Sequence, residues 1–207
     1  MDQGNVWLRD IWTLLIASVA LMGSPGPSTI SVTAIAAAFG LRRSLGYAAG
    51  LILGTCPVLL IVATGVFALL LSVPRLAPVL TAVSAAYIVY LAIQIARAPP
   101  QNQQNPAASA PSVTGGMLLA AANPKAYVDI GAVFAASRLA DLSPLAEALV
   151  KTAILALLIV LIHIGWLLAG VSLSRMLRDP VASRIVNVVP AFVLLATSVL
   201  AIMPRRE

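Results

Sequence analysis

Lys125 and Asp129 stand four residues apart inside a strongly apolar stretch, residues 116–136. That spacing puts both on one helix face. An ammonium can hold a carboxylate, and a carboxylate can hold an ammonium or a proton. A charge deep in hydrocarbon costs at least ~3 kcal/mol on insertion scales, so such residues usually serve function. The plain alternative is that the two neutralise each other as an i,i+4 pair. Lys125 follows Asn123 and Pro124, which interrupt the same stretch. A matching interruption, Ser24-Pro25-Gly26-Pro27, lies in the first apolar stretch. Ser24 before Pro25 and Asn123 before Pro124 each read as a helix start, a capping side chain followed by a proline whose missing N–H is not needed. Each start is expected to present unpaired N–H groups and about half a positive charge. Two such starts brought together form a site for an anion, most naturally a carboxylate. Gly26 would admit a ligand close to backbone, and Ser28, Thr29 and Ser31 add hydroxyls. One break alone reads as a tolerated proline kink. Two at corresponding positions point to a transporter binding site.

Other polar residues carry less. His163 is a second titratable group within the spans, and a lone buried histidine is more often a satisfied core residue than a proton carrier. Tyr87, Tyr90 and Gln94 share one helix face. Trp166 lies three residues from His163. Cys56, the single cysteine, excludes an internal disulfide and a two-thiol relay and reads as a buried core residue. A metal exporter would need several His, Asp, Glu or Cys ligands on facing helices. Only Asp129, His163 and Cys56 are available within the spans, so a metal or inorganic-ion exporter is the lesser alternative and no metal site is expected. Ser24 or Ser28 with His163 lacks the surroundings of a nucleophile, so the chain does not read as an enzyme. No nucleotide loop or cofactor motif is present.

The elements that must position these residues follow from composition. The 207 residues are 60% hydrophobic and 10% charged, with mean hydropathy +0.99 and net charge +6. A soluble domain would be about a quarter charged, so the solvent is a lipid bilayer. The basic excess fits membrane-edge loops and head groups, and no basic stretch is interleaved with aromatics for nucleic acid. Apolar spans at 11–36, 44–71, 76–96, 116–136, 147–172 and 185–203 each suffice to cross and must be helical. A cleaved leader would not change that class, since five spans follow the first. The stretch "RAPPQNQQNPAASAPSVTG", residues 97–115, reads as a flexible linker. It divides a first three-helix unit, 1–96, from a second, 116–207. Three spans per unit invert the second, giving an all-α membrane protein of two inverted repeats with broken helices one and four. Basic residues divide six against six between the two faces, which leaves the orientation open. Pro57 and Pro190 are expected to kink helices two and six. The stripe Gly46, Gly50, Gly54 suits either close internal packing or the seam of a homodimer.

These residues resemble a known family. "PGPSTISVTAIAAAFGLRRSLGYAAGLILGT", residues 25–55, looks like the first signature of the LysE/RhtB amino-acid exporters. "NPKAYV", residues 123–128, looks like that family's Asn-Pro-Lys, and "AAYIVYLAIQIAR" resembles its third helix. The resemblance implies a multi-pass transporter of the cytoplasmic (inner) membrane. Its substrate would be an amino acid or related small zwitterion, with export drawing on the proton gradient. It maps the motif residues onto Pro25, Gly26, Pro27, Asn123, Pro124 and Lys125. Beside them, Ser28 is expected at the substrate, and Asp129 and His163 at the coupling step. Ser28, Thr55, Asp129 and Pro190 depart from the family pattern, which points away from a basic amino acid.

Overall fold

A computed structural model describes residues 3–65, 76–96, 111–140 and 142–176. Among the described residues every element is helical: α1 Gln3–Met22, α2 Pro27–Ala63, α3 Leu76–Ala96, α4 Val113–Ala122, α5 Pro124–Ala136 and α6 Pro144–Met176. Two stretches, Pro27–Ala63 and Pro144–Leu173, are long and apolar enough to cross a membrane. The expected sixth span with Pro190, the tail of the second span and most of the linker lie outside the described residues. The linker's last residues, from Val113 on, already belong to α4.

α2 is two arms, not one rod. Gly40 has φ 77° and ψ 171°, a conformation open to glycine and strained for other residues. The chain turns back there. Tyr47 donates its hydroxyl to Ser31 Oγ at 3.0 Å, although sixteen residues of straight helix would separate them by about 24 Å. Ser44 ties the corner by donating to the carbonyls of Gly40 at 2.7 Å and Ile35 at 3.2 Å. The second arm keeps helical φ and ψ through Pro57, and the non-helical residue within α2 is Gly40. Cys56 is partly exposed rather than buried.

The arms pack through small residues. A Cβ at Gly50 would strike the Val113 backbone of α4, and one at Gly116 would strike the Tyr47 carbonyl of α2. Gly54 meets Met117 and Ala120 in the same way, and Gly170 of α6 meets the Thr33 carbonyl. Lipid is as apolar as leucine, so helices in a bilayer associate through close packing and hydrogen bonds. The glycine stripe is therefore spent on an internal contact with α4, which removes it as support for a dimer seam.

Two core clusters result. One joins the arms of α2 to α3, α4 and the C-terminal half of α6, around Ile35, Tyr47, Leu51, Ile88, Leu119 and Leu167. The other joins α1, the end of α2, α5 and the start of α6, around Leu14, Val58, Ile130, Val133, Leu155 and Ile159. Large apolar side chains also point outward. Leu8, Trp12, Ile16 and Val19 line an exposed stripe on α1, and Leu145, Leu149, Leu157, Leu161 and Leu168 line one on α6. Continuous exposed apolar stripes of this kind mark surfaces that meet something other than water.

Candidate functional site

The two breaks meet. α1 ends at Met22, and Ser24 closes it by donating its hydroxyl to the Leu21 carbonyl at 2.7 Å. Ser24 is thus a C-terminal closure rather than the expected N-cap. The cap of α2 is Gly26, two residues on, with Pro27 in the first turn. Gly26 has no side chain to cap with; its own N–H donates to Thr29 Oγ1 at 2.8 Å. The first-turn N–H groups of Ser28 and Thr29 have no acceptor inside the helix, and both residues line a cavity.

α5 begins as its sequence suggests. Asn123 is the N-cap, Pro124 follows, and Asn123 Oδ1 accepts from the Lys125 N–H at 3.1 Å. The Ala126 N–H reaches the Asn123 carbonyl at 3.1 Å. The start of α5 therefore satisfies its own donors. The expectation of two bare helix ends is corrected to one, the start of α2.

Lys125 supplies the second donor group. Its ammonium donates to the Leu21 carbonyl at 3.0 Å, to Ser24 Oγ at 2.9 Å and to Asp129 Oδ2. The Leu21 carbonyl belongs to the negative end of the α1 dipole, which attracts a cation. Asp129 offsets the unfavourable placement of that cation near the start of α5. Trp166 of α6 donates its indole N–H to the Gly23 carbonyl at 3.1 Å, and Thr33 donates to the Trp166 carbonyl at 3.1 Å. The break is thereby held from a third helix.

The cavity has a volume of about 40 Å³, space for two or three waters. Gly26, Ser28, Asn123, Lys125 and Asp129 line it, with Met22, Thr55, Ile130 and Ile162 as its other walls. Pro25, Pro27 and Pro124 stand outside the lining and act on the backbone. His163 is buried on α6 next to Ile162 but does not line the cavity. Its Nδ1 lies 2.7 Å from the Ile159 carbonyl, and its Nε2 has no partner among the described residues. Tyr87 and Tyr90 form a tilted ring pair, centroids 5.6 Å apart, with Tyr87 against Gly115. Tyr87 serves the α3–α4 contact.

A family model described as LysE type translocator matches residues 19–203. The chain belongs to this family. It is similar to an uncharacterized membrane protein of Pseudomonas aeruginosa PAO1, 31% identical over 130 residues, 58% of this chain and 60% of that protein. It is also similar to a cysteine/O-acetylserine efflux protein of Salmonella typhimurium LT2, 36% identical over 92 residues, 44% of this chain and 46% of the relative. The homologous efflux protein of Salmonella paratyphi A is 34% identical over 97 residues, 47% of this chain and 48% of the relative. The match thus spans between about half and three-fifths of these relatives' length. No solved structure shows a significant match.

This LysE-type chain is a membrane protein, in keeping with its outward apolar stripes. Lys125, Asp129 and Asn123, which the sequence singles out, line one cavity. Sequence reasoning missed that Lys125 closes the far end of α1, a contact across 104 residues that no local pattern reveals. It also missed a second polar knot at the other end of α5. There Lys151, almost fully buried, donates to the carbonyls of Phe134 at 3.2 Å and Ser137, and pairs with Glu147 at 2.7 Å. Glu147 in turn accepts from the Leu139 N–H at 3.1 Å, and Asp10 of α1 accepts from the Ala140 N–H at 3.1 Å. The i,i+4 spacing of Glu147 and Lys151 was the available signal.

Proposed function

We propose that this chain is a secondary transporter that exports an amino acid or related small zwitterion across the cytoplasmic membrane. The observation that carries the reading is the convergence of both helix breaks on Lys125. A carboxylate arriving in the cavity would meet the Lys125 ammonium and the bare N–H groups of Ser28 and Thr29, a preformed anion cradle. Asn123 and Gly26 shape its floor. Membership of the translocator family and the efflux-protein relatives support the same reading.

The proposal includes six spans in two inverted repeats, with helix contacts running between the two units. The second helix of the first unit, the later arm of α2, packs through glycines on α4, the first half of broken helix four. The second helix of the other unit, α6, packs on the early arm of α2, the second half of broken helix one. Each broken helix thus leans on its counterpart's neighbour. Alternating access is then a rocking of one unit against the other around the shared site. Coupling to the proton gradient falls to the titratable groups at that depth. A proton reaching Asp129 would release whatever cation its carboxylate holds, and His163, one residue from the cavity wall, is the second candidate carrier.

The test is efflux from cells loaded with a panel of amino acids, with and without this chain, in the presence and absence of a protonophore. Faster loss of at least one amino acid, blocked by the protonophore, is the expected result. An unchanged pool across the panel would refute the amino-acid reading.

A further inference from the structure

We infer that Asp129 holds, on Lys125, the place that the substrate's carboxylate takes, and that once displaced it receives the substrate's ammonium. The site then selects its substrate by charge balance. This deepens the proposed export of a small zwitterion and rests on that reading.

Lys125 has three N–H donors, and all three are engaged: by the Leu21 carbonyl, Ser24 Oγ and Asp129. An incoming carboxylate must replace one of these acceptors. The Leu21 carbonyl is fixed in the last turn of α1, and Ser24 is held by its own bond to that carbonyl. Asp129 is the movable acceptor and the only anion among them, so exchanging it for a substrate carboxylate leaves the charge around Lys125 unchanged. The displaced Asp129 cannot stay alone. Its side chain is only 13% exposed, and an uncompensated charge in such surroundings is strongly unfavourable. An amino acid brings the compensating ammonium on the carbon next to its carboxylate. That separation fits two groups one helical turn apart, whose Cβ atoms lie about 5–6 Å from each other.

The sum of charges follows. Lys125 and Asp129 together are neutral, and remain neutral with a zwitterion bound. A monoanion without the ammonium leaves the loaded site at −1, and an amine without the carboxylate leaves it at +1. Either net charge at this depth is disfavoured by roughly a hundredfold.

The experiment uses the full chain in proteoliposomes under reducing conditions, with labelled cysteine, a zwitterion, as the transported probe. Unlabelled serine should compete with cysteine. The matched anion 3-mercaptopropionate and the matched cation cysteamine should each compete about a hundredfold less well. Asp129→Asn should reverse the preference, losing cysteine and accepting 3-mercaptopropionate, while Asp129→Glu keeps the wild-type order. Equal competition by either single-charged analogue in the wild type would overturn the inference without recourse to a variant. So would an Asp129→Asn protein that inserts normally and still prefers cysteine. In both cases cysteine transport by the wild type leaves the exporter reading standing. A wild type that moves no amino acid removes that reading and this one with it.

Discussion

The side-chain amide of Asn123 donates to the hydroxyl of Ser28 at 3.0 Å, both groups buried and 95 residues apart in sequence. The same amide accepts from the Lys125 N–H through its oxygen. One side chain thus starts α5 and fixes that start against the first turn of α2. Asn123→Ala should lose a helix cap, about 1 kcal/mol, and a buried hydrogen bond, about 1 kcal/mol. Asn123→Asp keeps the cap and lets the Ser28 hydroxyl bridge only by donating, while placing a charge in a buried position. We expect the thermal unfolding temperature in detergent to drop for alanine, with efflux dropping alongside it. Full efflux in the alanine variant would show the bridge to be dispensable.

Gly26 faces the stem of Lys125. A Cβ there would lie 2.6 Å from Lys125 Cδ, well inside van der Waals contact. Gly26→Ala should displace the lysine without disturbing the helices. Efflux should fall about tenfold or more, as a misplaced binding group does, with membrane insertion retained.

Removing the ammonium alone strands its partner. Lys125→Met leaves Asp129 as a mostly buried, unpaired carboxylate, a change that typically destabilises by about 3–5 kcal/mol. Adding Asp129→Asn removes the stranded charge. The double variant is expected to recover most of the single variant's lost stability and none of its transport. A double variant no more stable than the single one would mean that the pair contributes nothing to folding.

Asp10 stands at the membrane edge, and its acidity makes a pH prediction. The Ala140 N–H, aided by Arg9, holds its carboxyl below the ordinary value of 3.8. A depressed folded-state value stabilises the fold above that ordinary value and ceases to do so as pH falls through the lower one. Melting temperature in detergent should therefore decline as pH falls below about 5. Asp10→Asn should start lower and decline less, the two curves converging in acid. Parallel curves would remove Asp10 from the acid response.

What the sequence made legible was local. Asn123-Pro124 reads correctly as a helix start because cap and proline act on their own backbone. Ser24-Pro25 misleads because a second proline follows, and Gly26 with Pro27 takes the start two residues on. The gap between the first two apolar spans was visible, but not that Gly40 folds it into a corner tight enough to join Ser31 and Tyr47. The glycine stripe announced close packing without naming its partner, since a small residue serves a neighbouring helix and a second copy equally. Lys125 on the end of α1, Trp166 on Gly23 and Lys151 on the end of α5 are long-range contacts between side chain and carbonyl. A carbonyl carries no residue identity for a pattern to reveal.

α5 is fastened at both ends, to α2 by Asn123 and to α6 by Lys151, while Glu147 and Asp10 hold the loop that follows. Its thirteen residues make a stiff rod of about 20 Å. Such a rod behaves as a lever, so a tilt that carries Lys125 away from α1 must shift Ser137 at the other end. A reporter placed on the 137–140 loop, far from the cavity, would then read the occupancy of a site it never touches.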